Sequence, residues 1–144
     1  MIDLDDEQKL YGLKLALVQA KKAQARHTYP IGAVITTLEG KVIARSHNRV
    51  VPGRDPTAHA EVEVIRKAGA YLQANKRQSV LYTTLEPCLM CMGAILEANI
   101  AAVVWAFRDN YRGAASFVLE QYQKKKLVKP VVFAEPHPAM AAEV

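Results

Sequence analysis

Apolar positions along the chain change period three times. Behind the acidic opening "MIDLDDEQKL", Leu10, Leu13, Leu17 and Ala20 recur at helical spacing. This predicts a helix capped by Asp3 or Asp5 and ending near Arg26, where Tyr29 and Pro30 break the pattern. "IGAVITT" and "KVIARSHNRV" are β-branched segments on either side of "LEG", which reads as a hairpin over residues 31 to 50. "VVPGRDP" reads as a loop. Thr57 is placed to cap a second helix that starts at "HAE" and runs to about Tyr71. "SVLYTTL" is then a third strand, Pro87 opens a third helix, and "AAVVWAF" is a fourth strand. Residues 114 to 126 look helical, and "VVFA" is a short last strand. A hairpin followed by βα repeats argues for an α/β fold, a mixed and mostly buried sheet with helices on both faces. No internal repeat, low-complexity segment or linker interrupts it.

Composition narrows this picture. At 144 residues the chain is expected to form a single domain over residues 1 to 144, so every motif shares one scaffold. Apolar residues at 51% and charged residues at 23% are globular proportions. No apolar run is long enough to cross a bilayer, so a soluble protein without a membrane partner is expected. The first residues carry acids where a secretory signal would carry bases, which points to the cytoplasm. The charge of +5 would suit an anionic partner, but nineteen bases spread along the chain are weak evidence for nucleic acid.

The two cysteines change the picture most, because both fall within "LEPCLMCMGAI" at residues 85 to 95. In a reducing compartment, C-x-x-C spacing means metal binding or redox chemistry rather than a structural disulfide. Pro87 at a first helical position would put Cys88 in the opening turn, with Cys91 on the same face. The positive end of the helix favours thiolates there. Taken alone, the pair is ambiguous between a redox couple and a metal site.

The stretch "PTAHAEVEVIRKAG", residues 56 to 69, supplies the other partners. His59 and Glu61 are two residues apart, about 200° around an ideal helix, so both reach one site only if it lies off the helix end. Two helix starts would then face one another. His59, Cys88 and Cys91 offer three borderline or soft donors, which suits Zn²⁺ and leaves one position open, as catalytic zinc sites do. The alternative is a closed structural site completed by His47, His137 or Asp55. Two thiolates cancel the charge of Zn²⁺, so a nearby proton acceptor is needed, and Glu61 can fill that role.

These residues resemble a family. "HAE" and "PCLMC" match the H-x-E and P-C-x-x-C signature of zinc nucleobase deaminases. "DPTAHAEVEVIRKA" and "LYTTLEPCLMCMGAI" look like the branch of the cytidine and deoxycytidylate deaminase superfamily that holds bacterial tRNA adenosine deaminases and guanine deaminases. The resemblance runs from Tyr29 through "VVWAFRDNYRGAA". It implies a three-layer α/β/α sandwich around a mixed five-stranded sheet. It also implies hydrolysis at a carbon bearing an exocyclic amine, C4 of a pyrimidine or C2 or C6 of a purine. Glu61 would shuttle protons and ammonia would leave. By the same resemblance Asn48 hydrogen-bonds the base, the backbone N–H groups of Ala60 and Cys88 line the pocket, and Asp109 stands at its rim.

The resemblance fades at the C-terminus. Resembling tRNA deaminases continue into a longer basic helix and guanine deaminases into a tail over the pocket, and neither is recognisable in "EPHPAMAAEV". Lys124 to Lys126 are the one run of three bases. A small-molecule substrate is therefore expected ahead of tRNA wobble adenosine: a purine such as guanine or a related heterocycle. A homodimer is expected, because "AAVVWAF" and "MCMGAILEANI" offer more apolar surface than one small sheet readily hides. A zinc-stabilised binding module is the non-enzyme alternative; an intact Glu61 beside an open metal position argues against it.

Overall fold

The computed structural model describes residues 2–125 and 131–133. Helix α1 spans Asp6–Ala25, and strands β1 (Gly32–Thr37) and β2 (Val42–His47) follow as a hairpin. Next come α2 (Val50–Gly53), α3 (Ala60–Lys67), α4 (Gly69–Ala74) and β3 (Ser79–Leu85). Helix α5 (Leu89–Glu97), β4 (Ala102–Phe107), α6 (Ala115–Lys124) and β5 (Val131–Phe133) complete the order. The sheet runs β2-β1-β3-β4-β5, with four strands of six or seven residues and the three-residue β5 on the edge. β1 is antiparallel to both β2 and β3, while β3, β4 and β5 are parallel. The chain is thus α/β with a mixed sheet.

Strand alternation divides the core in two. Ala33, Ile35, Leu81, Val103 and Trp105 face α3, α5 and α6 through Ala60, Val64, Met92, Ile95 and Val118. Val34, Val80, Tyr82, Ala102 and Val104 face α1 through Leu13 and Ala16. Side chains two apart on a strand share a face, so each strand serves both layers.

The first helix is capped by Asp5, whose carboxylate accepts from the Gln8 N–H at 2.8 Å. Its buried stripe is Gly12, Leu13, Ala16, Gln19, Ala20 and Ala23, whereas Leu10 and Leu17 are only half-buried. The reason is close approach. A Cβ on Gly12 would run into the Tyr82 ring, and one on Gly32 into the Ala16 carbonyl. Small residues let α1 sit directly on the sheet, and larger ones fall to the flanks.

Four local expectations are corrected. The segment read as a loop holds the helical turn α2, with Arg49 as its N-cap, and the Asn48 side-chain oxygen accepts from the Val50 N–H at 2.9 Å. Thr57 does not cap α3: its N–H and hydroxyl both donate to Asp55 Oδ1, and His59, in an extended conformation, is the N-cap. That helix also stops at Lys67 and restarts as α4. Pro87 does not open α5 either; Cys88 is its N-cap, with Leu89 the first helical residue. The Pro87 carbonyl accepts from the Ala114 N–H at 2.9 Å and Cys88 bridges Gly113, which holds this strap extended.

Because β1 is antiparallel to its neighbours, β2, β3 and β4 point the same way and their carboxyl ends lie along one edge. Asn48 follows β2, Cys88 follows β3 and Asp109 follows β4. An α/β sheet binds ligands outside these ends. Tight α1 packing is the most exposed assumption of this architecture. Gly12→Ala should cost about 2 kcal/mol through overpacking, measured as a lower denaturant midpoint at unchanged slope. An unchanged midpoint would mean that α1 does not lie this close to β3.

Candidate metal centre and substrate pocket

His59 and Cys88 are N-caps that make no capping hydrogen bond with their side chains. Those side chains turn toward each other instead. His59 Nδ1 lies 3.6 Å from Cys88 Sγ and 3.5 Å from Cys91 Sγ. One donor atom from each residue lies within 4.8 Å of the others, a spacing fit for one metal ion. The donor set, one imidazole and two sulfurs, is that of zinc with a fourth position left for another ligand. Among the described residues neither His47 nor Asp55 joins this group. His47 Nδ1 lies 2.9 Å from the Asn48 carbonyl, and Asp55 accepts from Thr57. The third proposed closing ligand, His137, lies outside the described residues.

A hydrogen bond from Cys91 is the main cause that draws Cys88 down to about 5, and His59 adds to the effect. Cys91 is pushed up by that same bond to Cys88 and by burial. The pair therefore favours a Cys88 thiolate accepting from a Cys91 thiol, and metal binding must expel the remaining proton.

Glu61, in the first turn of α3, is 4% exposed. Desolvation pushes its carboxyl up to about 7, with the Cys88 thiolate adding to the rise and its own backbone N–H opposing it. Burial thus makes this carboxyl group a stronger proton acceptor than an exposed glutamate.

A pocket of about 460 Å³ opens over these groups, lined by Tyr29, Ile31, Asn48, His59, Glu61, Cys88, Asp109 and Arg112 among others. Asn48 is 2% exposed. Its Oδ1 accepts from the Thr28 hydroxyl at 2.7 Å and from the Val50 N–H at 2.9 Å, which fixes the amide and leaves Nδ2 as its donor. Asp109 lines the pocket, but its Oδ1 accepts from the N–H groups of Tyr111 and Arg112 and so shapes its own turn. Ala60, fully buried as the first residue of α3, is not among the lining side chains.

Sequence reasoning missed Glu86 and Arg112 in the pocket wall. Glu86 sat in plain view next to Pro87, yet its role depends on partners some twenty to thirty positions away. Local pattern carries no signal for such partners.

The comparisons with known proteins agree with this geometry. The family model for the cytidine and deoxycytidylate deaminase zinc-binding region matches residues 6–107, and the chain belongs to that family. It is a zinc-binding deaminase, of a kind that hydrolyses C–N bonds. It is 41% identical over 106 residues to the tRNA-specific adenosine deaminase of Aquifex aeolicus, covering 73% of this chain and 70% of that one. With the guanine deaminase of Bacillus subtilis it shares 43% over 102 residues, 70% of this chain and 64% of that one. The chloroplastic tRNA(adenine(34)) deaminase of Arabidopsis thaliana is 45% identical over 103 residues, but the chain spans only 8% of its length. A solved structure from work on A-to-I editing by tRNA:A34 deaminases superposes with TM-score 0.78 at 38% identity, covering 92% of this chain and 97% of that one. The Bacillus subtilis guanine deaminase structure gives 0.64 at 37%, with coverages of 88% and 83%. No helix among the described residues is long and apolar enough to cross a membrane.

Cys88→Ser and Cys91→Ser should each lower zinc from about one ion per chain to a small fraction and destabilise the fold. Zinc uptake by the metal-free protein should weaken as pH falls, since the Cys91 proton becomes harder to expel. Metal analysis of both variants checks the ligand set, and full occupancy in both would refute it.

Proposed function

We propose that this domain deaminates adenosine in a tRNA loop, at the wobble position, converting it to inosine with release of ammonia. The observation that carries the proposal is the 38% identity and 0.78 TM-score to the tRNA:A34 deaminase structure, across nearly the full length of both chains. It is supported by 41% identity to the Aquifex aeolicus tRNA-specific enzyme and 44% to that of Agrobacterium fabrum. This reverses the preference for a small purine drawn from the sequence. That preference rested on residues 135 to 144, which lie outside the described residues, as does Lys126 of the three-base run. The guanine deaminase relation, with its lower TM-score of 0.64, keeps a free base as the competing outcome.

His59, Cys88 and Cys91 would hold zinc, which when bound supplies a Lewis acid that activates water. Glu61 would take a proton from that water and deliver it to the purine ring nitrogen, then take the proton of the new C6 hydroxyl and give it to the amine, which leaves as ammonia while the carbonyl forms. One water is consumed and one ammonia leaves. Asn48 would orient the base through its Nδ2 donor, since its Oδ1 already accepts from the Thr28 hydroxyl and the Val50 N–H. The backbone N–H groups of Ala60 and Cys88, both at helix starts, would hold the reacting groups from the opposite side. The base must leave its stack to enter a pocket of about 460 Å³, which suits a loop nucleotide better than a paired one.

Turnover should be compared on an anticodon stem-loop, free adenosine and free guanine. Inosine formation in the stem-loop is expected, reduced roughly 10²-fold or more in Glu61→Gln with zinc retained. Turnover of guanine alone would reassign the domain to base deamination, and near-normal activity of Glu61→Gln would remove that residue from the chemistry.

The active assembly proposed is a homodimer. The expectation rested partly on β4, yet Ala102 to Ala106 are buried within the chain. What stays open is a groove of Leu89, Gly93, Leu96, Phe117, Val118 and Tyr122 between α5 and α6, with Leu89 62% and Phe117 59% exposed. Such a surface, next to the metal donors, is suited to a second copy. Sedimentation should return the dimer mass at micromolar concentration; a monomer there would contradict it.

A further inference from the structure

Helix α6 begins without a capping side chain of its own: Ala114 is its N-cap. The first N–H groups of such a helix need an acceptor from elsewhere. Glu86 supplies one. Its Oε2 accepts from the Ala115 N–H at 3.3 Å, and its Oε1 accepts from the Asp109 N–H at 3.2 Å. One buried carboxylate thus holds both ends of the loop 108–114, which contributes Asp109 and Arg112 to the pocket wall. The Glu86 N–H donates to the Phe107 carbonyl at 2.8 Å, and the Ala114 N–H donates to the Pro87 carbonyl at 2.9 Å. Cys88, next along the strap, pairs with Gly113. Gly113 is required at that point, because a Cβ there would meet the Glu86 carboxyl group and the Asp109 carbonyl.

We propose that Glu86 is a positioning residue, which locks the 108–114 loop to the strap carrying Cys88 and so sets the pocket wall at a fixed distance from the metal donors. A carboxylate suits this task because it only accepts, and both partners are backbone donors. An amide can satisfy one of them but presents its own NH₂ group to the other. The strap links two functions: Cys88 holds the metal while Glu86, two residues earlier, holds the wall. A substrate that contacts both would meet them already aligned, so a displaced wall would weaken substrate binding first and raise KM.

Glu86→Gln in the zinc-loaded full chain tests the proposal, with Gly113→Ala as a second variant that displaces the loop while Glu86 stays intact. Hydrogen exchange at the Asp109 and Ala115 amides needs no substrate, so this arm stands even if the tRNA assignment fails. Both amides should exchange at least about tenfold faster in each variant. The kinetic arm rests on the proposed function and uses whichever substrate the wild type turns over. KM should rise about tenfold with kcat changed much less, at about one zinc per chain. The proposal is overturned if both amides stay protected, or if KM is unchanged while zinc is lost, which would make Glu86 a support for Cys88 alone. Should Glu86→Gln fail to fold, Gly113→Ala carries the same two readouts with the same outcomes.

Discussion

Everything at the site depends on two helix starts facing each other closely enough for His59 Nδ1 to sit within 3.6 Å of two sulfurs. A helix start is where backbone N–H groups lack partners and the dipole favours negative charge. Cys88 stands at the N-cap of α5 and Glu61 in the first turn of α3, so a thiol and a carboxyl group meet at these two helix starts. Neither N-cap side chain caps its own helix. Each forgoes that stabilisation, worth on the order of 1 kcal/mol, to present a donor atom to the metal position.

The scaffold meets this requirement by crowding. The β3 to α5 connection is a strap of three residues, Glu86 to Cys88, so the second helix start cannot drift from the end of its strand. On the other face, Gly12 and Gly32 let α1 lie flat against β1 and β3. Buried polar groups normally cost stability unless hydrogen-bonded. Asn48 and Glu86 satisfy this through the Thr28 hydroxyl and the backbone N–H groups of Val50, Asp109 and Ala115, and in doing so they fix those segments around the pocket. The groups that would contact substrate and the groups that hold the loops are thus partly the same residues.

Elements long enough to show a period were legible in the sequence: α1 to within a residue or two, the hairpin, β3 and β4. The metal donors were legible because their chemistry is carried by residue type and short spacing, His59 with Glu61 and Cys88 with Cys91. Boundaries at the site were not. Thr57 was expected to cap α3 on propensity, but Asp55 competes for its hydroxyl. Pro87 was expected to open α5, but pairing of the strap with Gly113 and Ala114 keeps Cys88 extended. In both places a contact decided the outcome, one local and one 25 positions away or more, and helix propensity is too weak to override either. Substrate was least legible, since it rested on a tail whose composition says little about what the pocket admits.

X-ray absorption at the zinc edge of the purified protein tests the central claim most directly, because it reads the donor set without substrate or mutation. Two sulfurs at about 2.3 Å and two nitrogen or oxygen neighbours near 2.0–2.1 Å are expected, for one His, two Cys and one exchangeable ligand. One of those light-atom neighbours should be replaced when a competing anion is added. A shell that stays unchanged under that challenge, or one without two sulfurs, would contradict an open catalytic site built on His59, Cys88 and Cys91.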